Sequence, residues 1–399
     1  MTNNAMKTVV GEAPGRLDFL GGVADYSGSL VLEMPLSLTT RVRLSEWAAR
    51  EWVFVSAQEG RCVVAADTPP AAVPKWVRYP YGSFLLFCRA QRWQPRAGLK
   101  FGITSSVPAS MGVSSSAALE VATLRALEKL SRREFTGTAL ARLAQRAENE
   151  IVGAPCGLMD QLTSAYGVRG ALLPILCRPD GLGRPVRLPS GIVAVGWPSG
   201  VKHAVTASPY ATARAGAFMG RKLIERATGR RLAHATELMP ADVRALSRSA
   251  LPVKISGRTF LARAGGVDDP LSKVERASTY AVRAAVSFPV EENFRAHAAV
   301  GLLRGIKPAN REATLRLLGE LLYQSHAGYS SIGLGCPETD AMVAAVRALG
   351  PGRGFYGARV SGGGSGGTVV VLLRASSLPE LRRLAGRVRF AQEAPPLLQ

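Results

Sequence analysis

The chain has 399 residues, 47% hydrophobic and 20% charged, which excludes a disordered polar chain and suits two folded domains. Its formal charge is +21, from 50 basic and 29 acidic residues. The basic residues stand one or two at a time, with no run of five and no aromatic stripe among them, so the charge does not read as a nucleic-acid surface.

Residues 6–56 read as three strands, MKTVVGEA, SLVLEMPLSLTTRVRLSE and REWVFVSA, rich in β-branched and aromatic residues. Within this region APGRLDFLGGVADYSG, residues 13–28, sets Arg16, Asp18 and Asp25 among small residues. A loop that only connects has no need of them, so this stretch is expected to hold something. Residues 61–75, with Thr-Pro-Pro and Val-Pro-Lys, read as a turn-rich link, 80–93 as a helix, and LKFGITSSVP as a strand running into a loop. The clearest helix is SSSAALEVATLRALEKLSR, with serines first, apolar residues at helical spacing and basic residues last. TGTALARLAQRAENEIVG predicts a second helix capped by Thr136 or Thr138, and MDQLTSAYG begins a third. GIVAVGW is a strand; long helical segments follow it, from ASPYATARAGAFMGRKLIERATG to PETDAMVAAVRALG. The chain then reads FYGARVSGGGSGGTVVVLL, two strand-like runs around glycines, and a short helix, LPELRRLAGRV. The change of texture predicts domains at 1–195 and 196–399.

Five cysteines lie far apart with no CxxC, and four histidines with no HExxH, so neither a disulfide framework nor a metal motif is expected. No signal-like segment and no uncharged apolar stretch of about 18 residues is present, and the expectation is a cytoplasmic protein.

Three stretches can carry chemistry. In VPASMGVSSSAALEVAT, residues 107–123, three serines and Gly112 open a long helix. Unpaired N–H groups and the helix dipole make an anion site there, and a serine hydroxyl can ligand Mg²⁺. The alternative is a serine N-cap, for which one serine suffices. No GK[ST] follows, so this is not a Walker A loop, and GVSSS lacks the second glycine of GxSxG. In AENEIVGAPCGLMDQLTSAYG, residues 147–167, Asp160 stands beside Met159 and Leu162. It is either an exposed cap or a buried carboxylate with a partner; Glu148 is equally open between solvated and functional. SGGGSGG, residues 361–367, matches GxGxxG, but a strand follows where a dinucleotide fingerprint needs a helix. Glycines between two strands suit a close backbone approach.

In this order, APGRLDFLGGVADYSGSLVLEMPL, SSVPASMGVSSSAALEVAT, AENEIVGAPCGLMDQ, SGVKHAVTASPYATAR and YGARVSGGGSGGTVVVL resemble the GHMP kinase superfamily and its galactokinase branch. GRLDFLGGVADYSGSLVL, ENEIVGAPCGLMDQLTSAYG and STYAVRAAVSFPVEENFR look like L-arabinokinases. The resemblance implies an α+β two-domain GHMP kinase fold, with a ribosomal S5 domain 2-like N-terminal domain, a ferredoxin-like C-terminal domain and the active site between them. It implies phosphoryl transfer from ATP, with Mg²⁺, to the anomeric hydroxyl of a sugar. By resemblance, Asp160 would face the C1 hydroxyl, with Arg16 beside it stabilising charge on the transferring group. Asp25 would bind ring hydroxyls, helped by Gly22, Val23, Gly157 and Tyr210. Ser116 and Glu148 would ligand Mg²⁺; Gly112, Val113, Ser114, Ser115, Ser116 and Ala117 would line the phosphates. Trp76, Tyr79 and Tyr81 are candidates for adenine. The expected partners are sugar and ATP, with no nucleic acid or membrane, in a monomer or homodimer.

Two departures bear on the substrate. Galactokinases usually carry Gly-Glu-His-Thr-Asp-Tyr, whereas here the run is Gly21-Gly22-Val23-Ala24-Asp25-Tyr26. In galactokinases the Glu and His lie near the sugar's 6-hydroxyl. L-Arabinopyranose matches D-galactopyranose around C1–C4 but lacks the hydroxymethyl group, so the change implies L-arabinose, with D-galactose or D-galacturonate as alternatives. Ser110-Met111 also replaces glycines before the serines. A non-catalytic sugar sensor is the alternative of another class; the presence of Arg16, Asp160, Ser116 and Glu148 argues for turnover.

Overall fold

Strands form where β-branched and aromatic residues cluster in the computed structural model, which describes residues 8–154, 156–178, 180–201, 208–387 and 397–399. By contacts the chain divides into two units, each drawn from separate stretches. Unit one is Met1–Arg16, Pro35–Ala109 and Ser114–Gly167; unit two is Leu17–Met34, Ser110–Val113 and Val168–Gln399.

The strands β1 (Thr8–Leu20), β2 (Leu30–Trp47), β3 (Glu51–Ser56), β4 (Gly60–Ala65) and β5 (Gly98–Ser105) supply the sheet of unit one. Its order is β4-β3-β5-β2, with β1 also paired to β2. β3 runs parallel to β5, whereas β2 with β5 and β3 with β4 are antiparallel. β4 corrects the expected link at 61–75. Its residues pair with β3 from Glu51↔Ala65 to Ser56↔Gly60, and the prolines act only beyond them. Between β4 and β5 lies α1 (Lys75–Gln91), which starts earlier than expected and carries Pro80 inside. Its Phe84 packs edge-on to Phe101, which stacks on Phe54 at 4.6 Å between ring centroids.

α2 (Ser115–Ser131) buries Ala118, Val121, Ala122 and Leu124. β1 approaches it so closely that a Cβ on Gly11 would lie 2.0 Å from the Ala122 carbonyl oxygen. The expected second helix is regular only over α3 (Ala139–Arg146), where Thr138 occupies the cap position without a side-chain cap bond. Residues Ala147–Val152 then widen into a π turn, and α4 (Met159–Tyr166) follows.

In unit two, β6 (Ala171–Leu176) pairs with the first residues of β2, from Leu30↔Leu176 to Glu33↔Leu173, and with the short strands β7 (Gly181–Leu182) and β8 (Val186–Arg187). β9 (Ile192–Pro198) precedes a helical region of α5 (Ser208–Thr228), α6 (Pro240–Leu246), β10 (Ile255–Ser256), α7 (Gly257–Ala264), β11 (Thr279–Tyr280) and α8 (Val282–Arg304). Met219, Ile224, Phe260 and Val286 form the core of that region. Next come α9 (Arg311–Ser331), α10 (Pro337–Leu349), β12 (Phe355–Ser361), β13 (Thr368–Arg374) and α11 (Leu378–Arg387). β12, β13 and β9 make an antiparallel sheet, covered by a core of Trp197, Met342, Val346, Phe355 and Leu381. The architecture is α+β. Among the described residues no helix is long and apolar enough to cross a membrane.

Candidate active site

Asp160 lies in the first turn of α4, whose N-cap position is held by Leu158 without a side-chain cap bond. Arg16, on β1, approaches Asp160: Nε donates to Oδ1 at 2.9 Å, and Nη2 lies 2.7 Å from the same oxygen. Arg16 is buried, while the Asp160 side chain keeps 21% of its surface exposed. Of the two sequence alternatives, the carboxylate with a partner is the one observed. A buried guanidinium fixes such a carboxylate in orientation while one side stays open to a reactant.

Gln161, the next residue, is fully buried. Its Nε2 donates to Glu148 Oε2 at 2.7 Å and to Glu120 Oε2 at 3.3 Å. The π turn carries Glu148, which also accepts a hydrogen bond from the Ser116 hydroxyl, and the Cys156 thiol lies 3.6 Å from its Oε2. Burial, and then the charge of Asp160, push the Glu148 carboxyl up to about 7, against the pull of these hydrogen bonds. Burial and the neighbouring Glu148 hold Glu120 well above the usual carboxylate range.

Ser116, Glu148 and Asp160 are therefore brought together. Among the described residues, no group of three or more His, Cys, Asp or Glu side chains is set to hold a metal. Mg²⁺ bound with a nucleotide does not need one, because phosphates and waters fill most positions around one or two carboxylates. A buried carboxylate held up by a second carboxylate, with a hydroxyl on it, fits that cation.

The serine stretch opens α2 in a strained form. Ser110, Gly112 and Ser114 all have positive φ, at 60°, 68° and 56°. Ser114 holds the N-cap position but makes no cap bond, and its buried hydroxyl has no hydrogen-bond partner in the structure. The plain cap is thus not what these serines form. Ser115, Ser116 and Ala117 occupy the first turn of α2, where backbone N–H groups lack helical partners. Gly157 lies just before α4 in the same unit.

The turn Gly22–Ser27 belongs to unit two. Asp25 is buried and its Oδ1 accepts from the Tyr26 N–H at 2.6 Å. The Tyr26 ring meets Tyr210 edge-on at 6.3 Å, and the Arg214 guanidinium, paired with Asp269 at 2.8 Å, lies 5.4 Å from the Tyr26 ring. Asp25 and Tyr210 thus share one cluster. Asp18 accepts from the Gly22 N–H at 3.1 Å and pairs with Arg359 at 2.8 Å, both side chains being fully buried. The glycines of 361–367 do permit a close approach, and its object is the chain itself. A Cβ on Gly364 would lie 2.6 Å from the Leu334 carbonyl oxygen, and one on Gly367 3.1 Å from that of Met111. Gly112 and Val113 lie in the short segment against which this loop packs, Thr368 Oγ1 donating to the Met111 oxygen at 2.8 Å.

Tyr81 is corrected as an adenine candidate: its ring packs on Phe54 in the core and its hydroxyl is spent on the Thr68 carbonyl. Tyr79 remains partly exposed, its phenol pushed up by burial and by Glu148 and Glu120. Sequence reasoning missed Gln161, Glu120, Arg359 and Tyr329. Only Glu120 left a signal, a carboxylate among the apolar positions of α2.

Domain models confirm the class. The GHMP kinases N terminal domain matches residues 78–168 and the GHMP kinases C terminal domain matches residues 306–388. The chain belongs to the GHMP kinase family. It is 32% identical to the galactokinase of Homo sapiens over 93% of this chain and 85% of that one. It is 31% identical to the L-arabinokinase of Arabidopsis thaliana over 98% of this chain, which spans only 45% of that relative's length. Among solved structures, Lactococcus lactis galactokinase complexed with galactose superposes with a TM-score of 0.79 at 21% identity, covering 96% of this chain and 89% of that one. The protein is an ATP-dependent sugar kinase of the galactokinase and L-arabinokinase type.

Proposed function

We propose that this protein phosphorylates L-arabinose at its anomeric hydroxyl, giving L-arabinose 1-phosphate. The observation that carries the choice of sugar is Gly22. It stands where the galactokinase motif has Glu, its φ is +51°, and a Cβ there would fall 1.8 Å from the Tyr329 hydroxyl. A site with no side chain at that corner suits a pyranose with no exocyclic carbon there.

In this reading Asp25, with Tyr210 and the Gly157 backbone, holds the ring hydroxyls, and Gly22 and Val23 line the bare C5. Asp160, fixed by Arg16, faces the C1 hydroxyl and holds its hydrogen while the oxygen attacks the γ-phosphorus. The new O–P bond forms as the bond to ADP breaks, and Arg16 opposes the charge that builds on the phosphoryl oxygens. The serine turn, Gly112 to Ala117, lines the phosphates with backbone N–H groups, and Ser116 and Glu148 hold Mg²⁺. Bound there, Mg²⁺ neutralises phosphate charge. Most of the rate then comes from positioning. Five cysteines held as thiols fit a reducing, cytoplasmic setting.

The test is ATP- and Mg²⁺-dependent phosphorylation of L-arabinose, D-galactose and D-galacturonate, with Asp160→Asn as control. L-Arabinose is expected to lead in kcat/KM by about tenfold or more over D-galactose, the scale of one missing carbon. Asp160→Asn is expected to abolish turnover. A preference for D-galactose would overturn the choice of sugar and leave the kinase standing.

A further inference from the structure

We infer that Tyr329 sets the sugar specificity of this site, by filling the space that a side chain at position 22 would take and by sealing the turn beside it. The inference rests on the sugar reading above and deepens it, restricting the substrate class to galacto-configured pyranoses that carry only hydrogen at C5.

Tyr329 lies on α9 and is fully buried. Its hydroxyl accepts from the Val23 N–H at 3.0 Å and donates to the Gly362 carbonyl at 2.7 Å. Both roles of the hydroxyl are thus taken. The phenol cannot retreat, because Phe288 meets its ring edge-on at 5.2 Å and the Arg359 guanidinium lies 5.0 Å from its centroid.

An added Cβ on Gly22 would meet the Tyr329 hydroxyl oxygen at 1.8 Å, its Cζ at 2.9 Å and Asp18 Oδ2 at 2.7 Å. Asp18 is as firmly held, by Arg359 and by the Gly362 N–H at 3.1 Å. Position 22 is therefore closed from two sides as well as held at a backbone angle that favours glycine. No acid can stand there while Tyr329 does.

The same side chains remove the donors of the turn. Gly21 N–H is spent on Glu292 Oε1 at 3.0 Å, Gly22 N–H on Asp18 Oδ1 at 3.1 Å and Val23 N–H on Tyr329. Three consecutive backbone donors point inward to buried acceptors. A substrate hydroxyl at that corner would find neither the missing acid nor a backbone group, and would lose its water without replacement.

The experiment uses the full chain with Tyr329→Leu, Tyr329→Phe, Gly22→Glu and Gly22→Glu/Tyr329→Leu. It reads kcat/KM for L-arabinose and D-galactose, KM for ATP, and thermal melting. Tyr329→Leu is expected to lower the L-arabinose to D-galactose ratio by about tenfold, and Tyr329→Phe by about threefold, with KM for ATP unchanged. Gly22→Glu alone is expected to lose both sugars, and the double variant to regain D-galactose. Folded Tyr329→Leu and Tyr329→Phe whose ratio stays within about twofold of wild type would overturn the inference and leave Tyr329 a packing residue. If Tyr329→Leu does not fold, the Tyr329→Phe ratio decides. Wild type that turns over neither sugar would overturn the sugar reading, and this inference with it.

Discussion

Replacing Glu148 by Gln should change how stability depends on pH, by an amount the structure allows to be worked out. The Glu148 carboxyl is only 8% exposed and rises from an ordinary 4.5 to about 7. Below pH 4.5 it is protonated in both folded and unfolded chains, and the site keeps all of its stability. As the pH rises through 7 the folded chain must ionise a carboxyl that burial and Asp160 disfavour, and stability is lost. The full loss is about 3 kcal/mol, of which about 2.5 kcal/mol falls between pH 5 and pH 8. Glu148→Gln keeps the shape and cannot ionise. Glu120 titrates in both proteins, and the push that the Glu148 charge exerts on it belongs to the difference between them. The assay is denaturant unfolding of the ligand-free proteins at pH 5 and pH 8. Wild type should lose about 2.5 kcal/mol more than the variant over that interval. On the proposed metal role, saturating Mg²⁺ and ATP should shrink this excess. Parallel losses in the two proteins would refute the reasoning.

Asp18→Asn should lower the stability of the chain by about 3–5 kcal/mol, because it strands the fully buried Arg359 charge. Thermal unfolding checks this, and a loss under about 1 kcal/mol would refute it. Ser114→Ala should leave stability within about 0.5 kcal/mol, since the hydroxyl makes no cap bond, and should raise KM for ATP. A clear stability loss with KM unchanged would restore the serine to an ordinary cap.

Local features were legible where local chemistry decides them. The serine run foretold the start of α2, the alternating residues foretold β1 to β3, and the glycines of 361–367 foretold a close approach between strands. Asp160 was visible as a carboxylate in apolar company, open between an exposed cap and a buried carboxylate with a partner, and Arg16 decides it. The misses have long-range causes. β4 exists because β3 pairs with it, against a proline-rich context. The π turn has nearly the periodicity of the helix it interrupts, so AENEIVG reads as regular helix. Arg359 and Tyr329 act on Asp18 and Gly22 from more than 300 residues away in sequence, and no window holds both partners. Each unit is drawn from stretches far apart in the chain, and chain order alone does not group them.

The widened turn at Ala147–Val152 makes the length of this segment part of the chemistry. A π turn accommodates one residue more than an α-helix would over the same rise. Removing a single residue after Glu148 would let the helix run on regularly and would cost the fold little. α3 would keep its rise and phase, and the change would fall on the turn itself, where Glu148 meets Gln161 and Cys156. Glu148 would shift against Gln161 and Cys156, and so against Asp160. Natural variation can therefore change the side chains of this segment one at a time, whereas a change in its residue count alters the setting of Glu148 against Asp160 in a single step.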